Sequence, residues 1–310
     1  MSASAIILTP LSVTDGMIAA GTTIAAVDAT QGEAAWAAGT AYAVGQRVNH
    51  AGAIWEAVAA STGATPGQAP DKWLRYGPSN RMAPFDDEFT TRAVATGSLT
   101  YVLRPGFFTG LALWGLQGDH LTINIYDAPG GAVVESYDAD LYEQAAGLYE
   151  LLFLPLRQRT KHYMQNLPLY PDAEVRITLS ASGGAQVAIG LITVGHWDTL
   201  IGAGDFGGVE YGATAEVKSY SYIKRADDGT VTRLRRGSAT NIDCSVVIDA
   251  AEANRAMDLL HQVQGRPIAF IASGLPRYDY LSGFGDLSGS ATPQSYAHAI
   301  LKLRIEGVVQ

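Results

Sequence analysis

Apolar residues in this chain come in short runs with a period of two, and each run stops at residues that cannot continue a strand. Leu121-Thr122-Ile123-Asn124-Ile125 alternates as a half-buried strand does and ends at Asp127-Ala128-Pro129-Gly130-Gly131. Glu174 to Leu179 alternates again, meets Ser182-Gly183-Gly184 and resumes as Val187 to Leu191, the strand–turn–strand signature of a hairpin. The 34 glycines and the spread of aromatics suit tight turns and short strands better than long helices. Residues 81–200 therefore read as a β-sandwich of about seven to nine strands.

One segment breaks this pattern. Asp249 can cap a helix, and Glu252 three residues on can complete a capping box. Ala253, Ala256, Met257, Leu260 and Val263 then form one apolar stripe, Gly265 stands at the C-terminal cap, and Pro267 forbids continuation. This places a helix at 250–264 inside a β-rich region at 205–310. In that region Asp227-Asp228-Gly229 turns a hairpin, Ile268 to Ile271 is a short buried strand, and Tyr296 to Glu306 alternates. His298, Ile300, Lys302 and Arg304 share one face of that last strand; Ala299, Leu301, Leu303 and Ile305 share the other.

Residues 1–32 read as an extended lead with β-like stretches at Ala5–Leu8 and Thr23–Val27. Lys and Arg number 21 and Asp and Glu 30, giving a net charge of −9. Residues 81–200 hold thirteen acids against seven bases, residues 201–310 twelve against eleven, and no segment is basic enough to follow a phosphate backbone. Nucleic acid is not an expected partner, and neither is insertion into a membrane, since no apolar run is long enough. Pro10 and Asp15 interrupt the first apolar residues and no positive n-region precedes them, so synthesis in the cytoplasm is expected. The single cysteine, Cys244, leads into Val246-Val247-Ile248 and reads as a packed hydrophobe.

Sequence motifs for chemistry are weak. Gly202-Ala203-Gly204-Asp205-Phe206-Gly207 has the glycine spacing of a dinucleotide loop, but an alternating run comes after it where a helix is required, so it reads as a linker. The six histidines show no metal-binding spacing, and no nucleophile–base pair stands out. The expectation is a protein that is not an enzyme, with no catalytic residues, metal or cofactor. Arg233, Arg235 and Arg236 form the one basic cluster, and with Lys302 and Arg304 they are candidate intersubunit contacts.

The densest constellation is Trp36, Tyr42, Trp55 and Trp73, punctuated by glycines and Pro66. In so short a β unit these rings either form the core or present flat faces to sugars. Trp36, Tyr42, Gly45, Val48, Gly52, Trp55, Gly63, Pro66 and Trp73 fall in the order found in the small chitin-binding carbohydrate-binding module, and residues 33–80 resemble that family. Members that grip chitin carry further aromatics just after the central one, where this chain has Ala57-Val58-Ala59-Ala60-Ser61-Thr62. The resemblance thus implies the module fold, with Trp36 and Trp73 as core. Tyr76 to Asp86 is similar to a phrase recurrent in phage virion proteins ahead of a lectin-like β-sandwich, and the C-terminal third resembles phage tail and baseplate domains. These resemblances imply a mainly β chain of three units: a carbohydrate-module-like domain, a lectin-like sandwich and a β-rich assembly domain with one packed helix. The implied protein is a homo-oligomeric structural subunit of a virion tail or baseplate that contacts other virion proteins and host surface glycans. The alternative is a glycan-binding, lectin-like protein or an accessory module of a polysaccharide-degrading system.

Overall fold

The alternating runs become strands with one buried face. The computed structural model describes residues 4–142, 147–153, 157–201, 207–225, 227 and 230–309, and its element order is mainly β. The chain divides into two compact units, residues 12–192 and residues 1–11 with 193–310. The sequence places boundaries at 32/33, 80/81 and 200/205 instead. The difference arises because the first strand pairs with strands nearly two hundred or more residues away, which no local pattern records.

In the 12–192 unit, a four-stranded sheet runs in the order Val133–Asp140, His120–Tyr126, Glu174–Ser180, Ser98–Leu103. Leu121, Ile123, Ile125, Val175, Ile177 and Leu179 are fully buried on its inner face. Each such side chain contributes about 1.5–3 kcal/mol through burial. The Asp127–Gly131 reversal joins two paired strands as expected. The expected hairpin from Glu174 to Leu191 does not form. Glu174–Ser180 pairs with Ser98–Leu103, whereas Gln186–Ile189 pairs with Ala93–Thr96. Both segments turn a corner together: Gly97 has φ +77° and Gly183 +64°, and Gly97 exchanges backbone hydrogen bonds with Ala181 and Ala185. A glycine at such a φ lets a strand leave one sheet for another.

Residues 17–23 run along the outer side of Ser98–Leu103, but Thr23–Val27 is not a strand. The hydroxyls of Thr22 and Thr23 accept from the N–H groups of Val102 and Thr100, at 3.0 and 2.9 Å, and alternate with backbone bonds from Ala19 and Thr23 N–H to Val102 and Thr100 O. The tryptophan-rich segment builds a three-stranded sheet, Arg47–His50, Ala53–Ala57 and Trp73–Pro78, beside a short pair, Ala41–Tyr42 with Ser61–Thr62. A buried polar network ties this sheet to the segments on either side of it, around Asp28 and Asn80. The Asn80 amide donates to Asp28 (2.6 Å), Glu33 accepts from the Asn80 and Asp28 N–H groups, and Asn49 donates to Glu33 (2.6 Å).

In the other unit, Ser4–Pro10 lies between Leu191–Thr199 and Ile268–Ser273, and the sheet continues through Ser282–Pro293, His298–Gly307 and Ser238–Asp249. Ile7, Leu8, Phe270, Leu301 and Ile305 are fully buried. The helix spans Ala253–Gln262 after a 3-10 turn at Ala250–Glu252, and Ala256, Leu260 and Val263 are its buried stripe. Asp249 caps by accepting from Ala251 N–H, but the capping box stays open. The extra 3-10 turn moves Glu252 to the N-cap, where it holds Arg255 at 2.5 Å. Gly265 turns the chain at φ +75° as expected.

From this sheet a two-stranded ribbon, Tyr222–Arg225 paired with Val231–Leu234, extends the pairing of Thr214–Ser219 with Ser238–Asp249. Its turn residues 228 and 229 lie outside the described residues, as does most of the Gly202–Gly207 motif. A strand, Gly208–Val209, comes directly after that motif. The short helix Leu148–Phe153 has no counterpart in the sequence reading. Among the described residues no helix is long and apolar enough to cross a membrane.

Candidate glycan-binding groove

The four aromatics take different places in one small module. Trp73 begins its strand with 2% of its surface exposed, and its Nε1–H donates to Ala64 O at 2.8 Å. Tyr42 packs edge-on against it at 5.2 Å, 8% exposed, and its hydroxyl accepts from Ala37 N–H at 2.7 Å. These two, with Val48 and Ala57, are the core. Trp36 and Trp55 are only partly buried against it. Trp36, expected in the core beside Trp73, instead stands at the margin, edge-on to His50 at 5.1 Å.

Trp55 is held in a different way. It sits mid-strand in Ala53–Ala57, so it projects opposite to Ile54 and Glu56. Its Nε1–H donates to His50 O at 3.2 Å, which fixes the ring plane. A Cβ at Gly67 would lie 3.4 Å from the ring's benzo carbons, so the Pro66-Gly67 turn closes over one part of it. The remainder lines a groove of about 480 Å³ whose other walls include His50, Gln68, Arg75, Phe85 and Asp86. Burial pushes the Asp86 carboxyl above its ordinary range, against the pull of hydrogen bonds from Thr91 Oγ1 (2.5 Å) and Glu88 N–H. The groove thus combines two aromatic rings with an amide, a guanidinium, an imidazole and a carboxyl. That set can stack against the apolar face of a pyranose and hydrogen-bond its hydroxyls. On the far side of the sheet Tyr76 is 60% exposed, but the Arg47 guanidinium, paired with Glu56, covers its ring at 3.5 Å.

Trp55 is legible in the sequence, and its partners in the groove are not. Arg75, the register partner of Trp55 on Trp73–Pro78, could have been found from strand pairing. Phe85 and Asp86 arrive from the 3-10 turn after the module and left no signal.

The candidate contact residues of the other unit do not converge. Arg233, Arg235 and Arg236 are exposed along the ribbon. Lys302 and Arg304 stand on the solvent face of His298–Gly307 and line a depression of about 580 Å³ with Ser245, Ser288, Ser290 and Tyr211. None of the three ribbon arginines lines it.

No curated protein and no solved structure matches the chain. Residues 35–74 match the family described as carbohydrate-binding module family 5/12, so this stretch of the chain is a carbohydrate-binding-module-like domain.

Proposed function

We propose that the chain is a non-catalytic glycan-binding protein that engages sugar through the Trp55 groove. The observation that carries this reading is the partly exposed Trp55, oriented by His50 and surrounded by polar groups, inside the segment that matches a carbohydrate-binding module. The test is binding of the full chain to chitin and to bacterial and plant polysaccharides, with Trp55→Ala, Gln68→Ala and Arg75→Ala beside it. Loss of one base-of-stack ring should weaken binding by roughly tenfold or more, as desolvated aromatic contacts usually do. The two polar variants guard against a folding defect in the first. Unchanged binding in all three, or no glycan bound by the parent chain, refutes the reading.

The setting proposed for this activity is a phage virion, where a tail or baseplate subunit would present the module to host glycans and contact its virion neighbours. The support is the similarity of Tyr76 to Asp86, and of the C-terminal third, to phage virion sequences. The phrase has a structural job here, since its Asn80 ties the module to the strand that begins at Ala93. Labelling of purified particles with an antibody to this chain is the test: label on the tail supports the setting, and particles without label exclude it.

A further inference from the structure

Every described residue of the ribbon strands is exposed, so both of its faces meet solvent. Cross-strand pairing puts Tyr222, Lys224, Thr232 and Leu234 on one face, and Ile223, Arg225, Val231 and Arg233 on the other. Tyr222, Ile223, Val231 and Leu234 expose 53, 56, 47 and 51% of their surfaces. A two-stranded ribbon with no packed face is marginal in water, and its outer edges leave backbone groups free. Residues 217–236 also concentrate charge. They hold six of the 21 basic residues and two of the 30 acids, which leaves 15 bases against 28 acids in the rest of the chain. Two such ribbons repel one another, so a symmetric ribbon-to-ribbon contact is disfavoured.

Among the described residues, the Val133–Asp140 strand is the outermost of its four-stranded sheet and pairs only with His120–Tyr126. Its charged residues are all acidic: Glu135, Asp138 and Asp140, each exposed. His120 binds Asp138 and Asp140 from the adjacent strand, while Glu135 has no cation beside it in the strand. Among the described residues this edge is unpaired, and it has the complementary charge and the same extended geometry as the ribbon.

We propose that the basic ribbon of one copy of this chain docks against the acidic Val133–Asp140 edge of a second copy, adding its strands to that sheet. The backbone groups of the two edges pair, Ile223 and Val231 or Tyr222 and Leu234 gain a covering surface, and arginine–carboxylate pairs set the register. Ribbon and edge are different surfaces, so the contact is head-to-tail and propagates into a ring or a filament. The inference is independent of glycan binding and of the virion setting; a chain that binds no sugar associates in the same way.

The experiment is sedimentation of the full chain over a wide concentration range at low and high salt. The parent chain should associate, and less so as salt screens the charges. A ribbon variant, Arg233→Glu with Arg235→Glu and Arg236→Glu, should weaken association by roughly tenfold or more, and so should the edge variant Glu135→Lys with Asp138→Lys. The chain carrying all five changes has both charges reversed and should associate again. Far-ultraviolet circular dichroism shows whether each variant remains folded, and the five-change chain answers the question even if one parent variant is impaired. A parent chain that stays monomeric, association indifferent to the ribbon charges, or a five-change chain that fails to regain it would overturn the proposal.

Discussion

Cys244 is 6% exposed in the middle of Ser238–Asp249, and burial, with Asp243 adding to it, pushes its thiol up to about 12. The thiolate is the reactive form, so native protein should resist thiol-modifying reagents while unfolded protein reacts at once. Rapid labelling of the native chain would contradict this. His162 makes a second test. Burial, and then the nearby Arg159, lower its imidazole to about 4, and Tyr137 stacks on it at 3.8 Å. An imidazole with a depressed folded pKa contributes stability that is present above pH 6.5 and lost as pH falls through 4. About 2–3 kcal/mol is at stake after allowance for its partial exposure. His162→Gln should therefore flatten the fall in unfolding free energy between neutral pH and about pH 4, and an unchanged pH profile would exclude His162 as its source. Trp73 and Trp36 separate the two roles that a tryptophan has in this module. Trp73→Ala should cost about 3–5 kcal/mol and unfold the module, whereas Trp36→Ala, at the margin, should cost clearly less in a chemical denaturation series.

At the scale of elements, the buried network around Asn80 is the most vulnerable to single changes. Asp28 is 8% exposed, and although burial opposes its charge, hydrogen bonds from Thr30 and Asn80 hold its carboxyl below the usual range. Asn80→Leu removes the donor and leaves a buried carboxylate with one partner fewer, at a cost of about 2–3 kcal/mol. Thermal unfolding should show that loss, and a neutral substitution would mean that water replaces the amide without penalty. The individual strands were legible because each carries its own alternation, as in Leu121–Ile125 and in the last strand, where Leu301, Leu303 and Ile305 are buried and Lys302 and Arg304 exposed. What failed was pairing. A hairpin read from Ser182-Gly183-Gly184 was reasonable locally, but the decisive residue, Gly97, lies more than eighty positions earlier. The Trp55 groove was half legible for the same reason: the ring announces itself, while Gln68, Arg75 and Phe85 reach it from separate segments.

At the scale of the whole molecule, the first strand is the feature that local reading was least able to place. Ser4–Pro10 reads as extended, yet its position between Leu191–Thr199 and Ile268–Ser273 depends on partners that are remote in sequence. Removing residues 1–11 should take away Ile6, Ile7 and Leu8 from the middle of that sheet and expose its two neighbours. Hydrogen exchange should then speed up across Ile268–Ser273 while the 12–192 unit keeps its protection; equal loss in both would show that the two units do not unfold separately. The same arrangement imposes a schedule during translation. Ser4–Pro10 leaves the ribosome before either of its partners exists, and at the usual rate of synthesis it waits roughly 10–50 s for Ile268–Ser273 to be made. For most of that interval the apolar Ile6-Ile7-Leu8 segment has nowhere to pair, because even its nearer partner, Leu191–Thr199, is completed only after the 12–192 unit has been made. Any chaperone that attends this chain during synthesis should therefore be found on Ile6-Ile7-Leu8.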